Sequence, residues 1–218
     1  MGLQQKNLTM FALTRKSLNE RQATETELRA IAPELQTGDI ILLRTRLYPL
    51  SWFIRYMSES YWNHTAIVLT TFESLPGYQA VLVAEALDDG IEIHRIQRFF
   101  NNSLYEVGVK RFSGLTAQDR DNITGYILSQ VDAPYAWRRL SSALFAIIFG
   151  RLYRIFTYLD THKFTCSNFV QKVFYFSLPP ERQDEAIFLP QGRRRSLEIV
   201  RPVDIANSTN TEWIFNKH

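Results

Sequence analysis

The stretch KFTCSNFVQKVFYF, residues 163 to 176, holds the only cysteine of this 218-residue chain. Val170, Val173 and Phe174 follow Cys166 by four, seven and eight residues, which predicts a helix whose apolar stripe includes the thiol. Most cysteines on such an apolar stripe are small buried side chains of the core. Its place in the first turn favours a second interpretation, because unpaired N–H groups and the positive end of the helix dipole stabilise a thiolate and a developing oxyanion. Both interpretations stay open from this stretch alone.

Strand-like segments precede this helix. Pro76-Gly77 and Asp89-Gly90 separate three of them, as expected for consecutive antiparallel strands. Thr116 is the predicted N-cap of a helix that stops before Pro134, and Thr24 begins a predicted capping box that opens a short helix to about Leu35. Strands first and helices second predict an α+β fold, an antiparallel sheet packed against helices. The segments predicted as strands are TGDIILLRT (37–45, strand 39–44), HTAIVLTTF (64–72), YQAVLVAEAL (78–87), GIEIHRI (90–96) and LYEVGVKRF (104–112).

Composition bounds the class of protein. Hydrophobic residues make up 45% and charged residues 22% of the chain, the balance of a globular protein with a sizeable core. The net charge of +3 is too small to indicate nucleic acid as the main partner. One cysteine cannot form an internal disulfide, no Cys/His cluster predicts zinc, and no apolar signal segment is seen, so a reducing cytoplasm is the expected location. We expect an N-terminal arm at 1–23 and a single domain at 24–218.

The histidines differ in their suitability as a base. His64 begins HTAIVLT, a strand without a polar face in its middle, so its imidazole lies at the end of a strand buried on both sides. A base on a rigid strand end suits proton transfer, although a core histidine bonded to a carbonyl is the alternative. The pattern of GIEIHRI predicts that His94 is exposed, and His162 is predicted to be a loop residue. His218 is terminal.

A carboxylate is available to orient that base. Alternation in AVLVAEAL puts Val81, Val83 and Glu85 on one face, and a carboxylate at the end of an apolar face is costly unless paired. A hairpin would set Glu85 beside the strand that His64 begins. Glu85 is therefore the best candidate orienter, with Glu92 and Asn63 as weaker ones, and an ion pair with an arginine is the alternative.

Six segments together show a family resemblance. The chain resembles the circularly permuted papain-like hydrolases of the YiiX/YebB type, relatives of the NlpC cell-wall peptidases and of the lecithin–retinol acyltransferases. No single segment is decisive, but their order across residues 38 to 207 is that of the family. The segments are TGDIILLRT, WNHTAIVL, VAEAL, DAPYAW, FTCSNFV and RPVDIANS.

The resemblance implies a fold, a chemistry and the roles of four residues. The family order is histidine, acidic residue, cysteine, which makes His64 the general base, Glu85 the orienter and Cys166 the nucleophile. Tyr135 matches a tyrosine usually found near the thiol. The implied enzyme is a cysteine hydrolase that acts through an acyl-enzyme on an amide, ester or thioester, with no metal or organic cofactor. The implied substrate is small and peptide-like, or lipid-like in the acyltransferase relatives.

An apolar insert around 138–159 departs from the family pattern. LSSALFAIIFGRLYRIFTYL, residues 140 to 159, is strongly apolar but contains Arg151 and Arg154 and is too interrupted to span a bilayer. One interpretation is a buried helix with two snorkelling arginines. The other is a helix that borders the cleft and makes peripheral contact with a membrane, which would favour a lipid-directed acyltransferase or phospholipase-like enzyme. A non-catalytic membrane- or partner-binding module on the same fold is a further alternative.

Overall fold

A computed structural model describes residues 26–27, 29–45, 61–71, 81–87, 90–100, 105–131, 166–188 and 200–216. The predictions for the arm at 1–23, for Thr24 and for the insert around 138–159 lie outside the described residues, and so does the boundary of the predicted single domain. Residues 26, 27 and 29–31 are helical and continue into a 3-10 turn at Ala32–Glu34, as predicted for a helix that ends near Leu35.

An antiparallel sheet forms the centre of the described structure. Its order is β4-β3-β2-β1-β5-β6, so the first strand lies between the second and the fifth. Every neighbouring pair is antiparallel. The five predicted strands are confirmed, whereas the sixth, near the C-terminus, was not predicted. The strands are β1 Ile40–Thr45, β2 His64–Thr71, β3 Val81–Leu87, β4 Gly90–Arg95, β5 Tyr105–Phe112 and β6 Thr211–Asn216.

Helices pack on this sheet and confirm the α+β class. They are α1 Gln97–Phe100, α2 Ala117–Ser129, α3 Cys166–Ser177 and α4 Pro202–Ala206, with a second 3-10 segment at Pro180–Ala186. Thr116 is the N-cap of α2 and forms a capping box with Asp119, as the sequence predicted for the cap. None of the helices in the described ranges is long and apolar enough to cross a membrane.

Both faces of the central strands are covered. Ile40 and Leu42 of β1 pack in a cluster with Phe169 and Val173 of α3, whereas the alternate residues of β1 belong to a second cluster on the opposite face. This two-sided burial is why β1 and β2 read as continuous apolar runs rather than as alternating ones. It also leaves the strand ends as the places where polar side chains of the sheet can meet.

The turn before β1 depends on Gly38 and Asp39. Gly38 has a φ of +90°, and a Cβ at this position would lie 2.9 Å from Cδ1 of Leu115. The Asp39 carboxylate accepts hydrogen bonds of 2.8 Å from the backbone N–H of Gln36 and from Nε and Nη2 of Arg111. The TGD motif at the start of β1 is therefore structural.

Candidate active site

Cys166 is the first residue of α3, which confirms its predicted place in the first turn of a helix. The buried residues Phe169, Val170, Val173 and Phe174 anchor the helix, which packs against α2 and β2. This packing holds the N-terminus of α3 at the start of β2. The thiol is consequently fixed where the unpaired N–H groups of the first helical turn are found.

Among the described residues, three groups interact with the Cys166 thiol. The His64 imidazole and the backbone N–H of Thr65 both interact with the thiol, and each interaction favours the thiolate. The Ser167 hydroxyl lies 3.8 Å from Sγ. The thiol is therefore in contact with the predicted base and with a second, backbone donor from the same strand.

The opposite side of the His64 ring contacts Glu85. Nε2 of His64 lies 2.5 Å from Oε2 of Glu85, and the side chains are 20% and 3% exposed. Since Nε2 faces the carboxylate, Nδ1 is the nitrogen left for the thiol. Sheet register explains the contact: Ala66 pairs with Glu85 across β2 and β3, so His64 is a diagonal neighbour of Glu85 on the same face.

The electrostatics of the three groups are coupled. Burial raises the pKa of the Cys166 thiol, but the charge and hydrogen bond of His64 outweigh this and lower the pKa to about 7. Burial lowers the pKa of His64, but the Cys166 thiolate and the Glu85 carboxylate outweigh this and raise the pKa to about 10. Burial raises the pKa of Glu85, whereas its histidine partners lower it to about 2. At neutral pH these directions favour thiolate, imidazolium and carboxylate together.

A second histidine, His94, also reaches Glu85. Its Nε2 lies 3.0 Å from Oε1 of Glu85, although the angle departs from that of a regular hydrogen bond. The prediction that His94 is exposed is wrong, since its side chain is 15% exposed. The pairing of Glu85 with Glu92, two residues before His94, puts His94 diagonally beside Glu85. The alternation of β3 and β4 gives the face on which each side chain lies. The register of the hairpin was also needed to predict that His94 lies beside Glu85.

The other candidates of the sequence lie elsewhere or outside the described residues. Glu92 pairs with Arg98 at 3.3 Å, and the backbone N–H of Asn63 donates to the carbonyl of Leu43. Tyr135, His162 and His218 are outside the described residues, so the role of Tyr135 stays a prediction.

The fold and the site define a class of protein. The sheet packed on the cysteine helix, with histidine and glutamate preceding cysteine in the chain, is the permuted papain-like arrangement. The chain belongs to the family described as permuted papain-like amidase enzymes, YaeF/YiiX, C92, whose model matches residues 34–145, just over half of its length. This confirms the family resemblance and the fold class, and it supports a cysteine hydrolase as the general activity. The matched range includes His64 and Glu85 and ends before Cys166.

A solved structure has the same fold. The chain is similar to the crystal structure of the metalloprotein yiiX from Escherichia coli O157:H7, with 16% identity and a TM-score of 0.55. The match covers 84% of this chain and 97% of that one. Comparison with curated proteins gives no match. Within the described ranges, no group of three or more His, Cys, Asp or Glu side chains could hold a metal ion.

Proposed function

We propose that the chain is a Cys-His-Glu thiol hydrolase that cleaves an amide, ester or thioester through an acyl-enzyme. The observation that carries this proposal is the contact of the only thiol with His64, whose opposite nitrogen lies 2.5 Å from the buried Glu85 carboxylate. A nucleophilic cysteine needs a base and a group that orients the base, and these three side chains supply both. A module that only binds a partner has no need of this arrangement.

The first half of the reaction forms the acyl-enzyme. The Cys166 thiolate attacks the carbonyl carbon, and the electrons of the C=O bond move to the oxygen. N–H groups in the first turn of α3 stabilise this oxyanion. When the tetrahedral intermediate collapses, the bond to the leaving nitrogen, oxygen or sulfur breaks, and the His64 imidazolium gives its proton to that atom. Glu85 keeps the ring oriented and its charge balanced throughout.

The second half releases the acyl group. His64, now neutral, takes a proton from water as the water attacks the thioester carbon. Collapse of the second intermediate expels the Cys166 thiolate and restores the imidazolium beside it. An acceptor other than water would give acyl transfer by the same steps. A nucleophile of this kind must stay reduced, which is why we propose a cytoplasmic location.

The family supports an amide as the scissile bond, and a small peptide-like molecule is our first candidate substrate. Tyr135 is proposed to donate a hydrogen bond near the oxyanion or to close the pocket.

A lipid-like ester is the second candidate substrate. The apolar segment 140–159, which is outside the described residues, favours it because such a run needs a cover. Replacing Phe145 and Ile148 by Ser should then weaken action on a long-chain ester at least about tenfold more than on a short soluble ester. Co-sedimentation with anionic liposomes tests the peripheral membrane contact. Equal loss on both esters would assign the segment to the core.

Acyl-enzyme trapping tests the proposed chemistry. The protein is incubated with an acyl-thioester or activated amide library, quenched in acid and digested, and the peptide containing Cys166 is weighed by mass spectrometry. We expect an acyl adduct on that peptide and none in Cys166→Ala. The adduct should also be lost in His64→Ala, which keeps the thiol but removes the base. An adduct that forms equally in His64→Ala would indicate non-enzymatic acylation and contradict the proposal.

A further inference from the structure

His94 is held between an arginine and the Glu85 carboxylate. Nη1 of Arg98 lies 3.3 Å from Nδ1 of His94 and 3.3 Å from Oε2 of Glu92. The ring also meets the ring of Phe99 edge-on, with centroids 5.4 Å apart. Contacts on these sides restrict rotation of the imidazole, and the short helix α1 supplies both Arg98 and Phe99.

These contacts determine which nitrogen of His94 carries the proton. A guanidinium is only a donor, so the Nδ1 atom facing Arg98 must accept. The proton of the neutral ring is then on Nε2, the atom 3.0 Å from Oε1 of Glu85. Glu85 consequently has an imidazole at each carboxylate oxygen, His64 at Oε2 and His94 at Oε1.

We infer that His94 is a positioning residue that fixes the Glu85 carboxylate so that Oε2 stays directed at His64. The inference rests on the proposed function, because it assigns His94 a part in that reaction. Nitrogen contacts at both oxygens restrict rotation of a carboxylate more than a contact at one oxygen does. The plane matters because Oε2 must remain at 2.5 Å from Nε2 of His64 while the ring exchanges its proton with Cys166.

His94 also competes with a cation for the same oxygen of Glu85. Nη1 of Arg98 is already 3.9 Å from Oε1 of Glu85, a long ion pair that a small movement would shorten. Without the imidazole, that pair would draw Glu85 towards α1 and away from His64. In the part of the chain that the structure describes, the charged groups around His94 are Glu85 on β3, Glu92 on its own strand and Arg98 on α1. Loss of His94 would leave Arg98 as the nearer partner of Oε1 of Glu85.

The pH dependence of Cys166 alkylation tests the inference without a known substrate. Iodoacetamide reports the thiolate, and the chain has no other cysteine to label. The folded wild type is compared with His94→Leu, which removes the donor, His94→Asn, which is too short to reach Oε1, and His94→Gln, which can donate to it. Arg95→Gln, an exposed neighbour on β4, is the control for disturbance of the strand.

We expect the midpoint of alkylation to rise by about one pH unit in His94→Leu and His94→Asn, because a less well-held His64 stabilises the thiolate less. His94→Gln and Arg95→Gln should stay within about 0.3 unit of wild type. With a substrate in hand, kcat should fall about tenfold in the first two variants with little change in KM. Circular dichroism checks that each variant is folded. If His94→Leu unfolds, His94→Asn alone provides the test of the lost contact.

Two outcomes separate the failure of this inference from the failure of the proposed function. A wild-type midpoint near that of an ordinary thiol, about 8.5, would contradict the proposed function itself. A lowered midpoint in wild type that is unchanged in His94→Leu and His94→Asn would overturn only the role of His94. A midpoint raised equally in His94→Gln would also overturn it, since donation to Oε1 would then not be the property that matters.

Discussion

Glu85 on β3 and Asp39 in the turn before β1 are two buried carboxylates, and they differ in the kind of group that each one mainly binds. Asp39 receives Nε and Nη2 of Arg111 and the backbone N–H of Gln36. Glu85 receives the imidazoles of His64 and His94 at 2.5 and 3.0 Å, and its one guanidinium contact in the described segments, with Arg98, is longer at 3.9 Å. Both residues satisfy the rule that a buried charge must be paired, so burial and pairing do not separate a structural carboxylate from a functional one.

The two carboxylates differ in whether the main partner of each can release a proton near neutral pH. A guanidinium does not release its proton near neutral pH, so the pair of Asp39 and Arg111 keeps one state and serves only to fix the turn before β1. An imidazole can release a proton, and the far side of the His64 ring faces the Cys166 thiol. The Asp39–Arg111 pair therefore contacts a backbone turn, whereas the Glu85–His64 pair leads to the nucleophile Cys166.

The largest effect should come from the nucleophile. Cys166→Ser leaves a hydroxyl that His64 cannot hold as an anion, so we expect turnover to fall by roughly 10⁴-fold or more. The change in the free energy of unfolding should stay below about 1.5 kcal/mol, because the two side chains are close in volume. Substrate turnover and urea denaturation measure the two quantities. Retained turnover would make Cys166 a core residue and remove the distinction between the two carboxylates.

A smaller loss of activity is expected when Glu85 loses its charge. Glu85→Gln keeps an oxygen that can accept from Nε2 of His64 but stabilises the imidazolium less, so kcat/KM should fall by about 10²-fold. The measurement is steady-state kinetics on the substrate that acylates Cys166. Asp39→Asn is the matched control, an identical chemical change in the structural pair, and its kcat/KM should match wild type. A drop of similar size in both variants would mean that Glu85 acts only on the fold.

Removing the structural carboxylate should affect stability instead. Asp39→Ala leaves Arg111 and the Gln36 N–H without this acceptor. We expect a loss of about 2 to 3 kcal/mol, somewhat less than for a fully buried pair, because the Arg111 side chain is 19% exposed to solvent. Denaturant unfolding measures the loss of folding free energy. Titration of the reactive Cys166 thiol counts the folded molecules, and the activity per folded molecule should be unchanged. Lower activity per folded molecule would link the turn before β1 to the site.

The sequence was sufficient for five of the six described strands and for the helix of Cys166, and the three side chains it singled out lie close together. Alternation put Glu85 on the same face as Val83, and both faces of β2 are indeed buried at Ala66 and Ile67. The pairing of β3 with β4 was harder, because periodicity gives the face of a residue and not its register. That is why the position of His94 beside Glu85 was missed.

Two other features depend on contacts between distant parts of the chain. The strand β6 pairs with β5 from about a hundred residues away, and its sequence TEWIFN does not alternate clearly. The position of β1 between β2 and β5 likewise follows from long-range pairing. Local propensity contains no information on either choice.

The pH dependence of the reaction should show the smallest of these effects, and it tests whether Glu85 and Asp39 differ in function. The thiolate of Cys166 exists above its lowered pKa of about 7, and the imidazolium of His64 exists below its raised pKa of about 10. We therefore expect kcat/KM to form a bell that falls about tenfold per unit below pH 7 and again above pH 10. Asp39→Asn should keep both limbs, because its partner Arg111 stays protonated throughout this range even without the carboxylate. In Glu85→Gln the alkaline limb should move to lower pH, because the carboxylate that favours the imidazolium is lost. A single limb near pH 9, with no effect of Glu85, would show an ordinary thiol and place both carboxylates in the structural class.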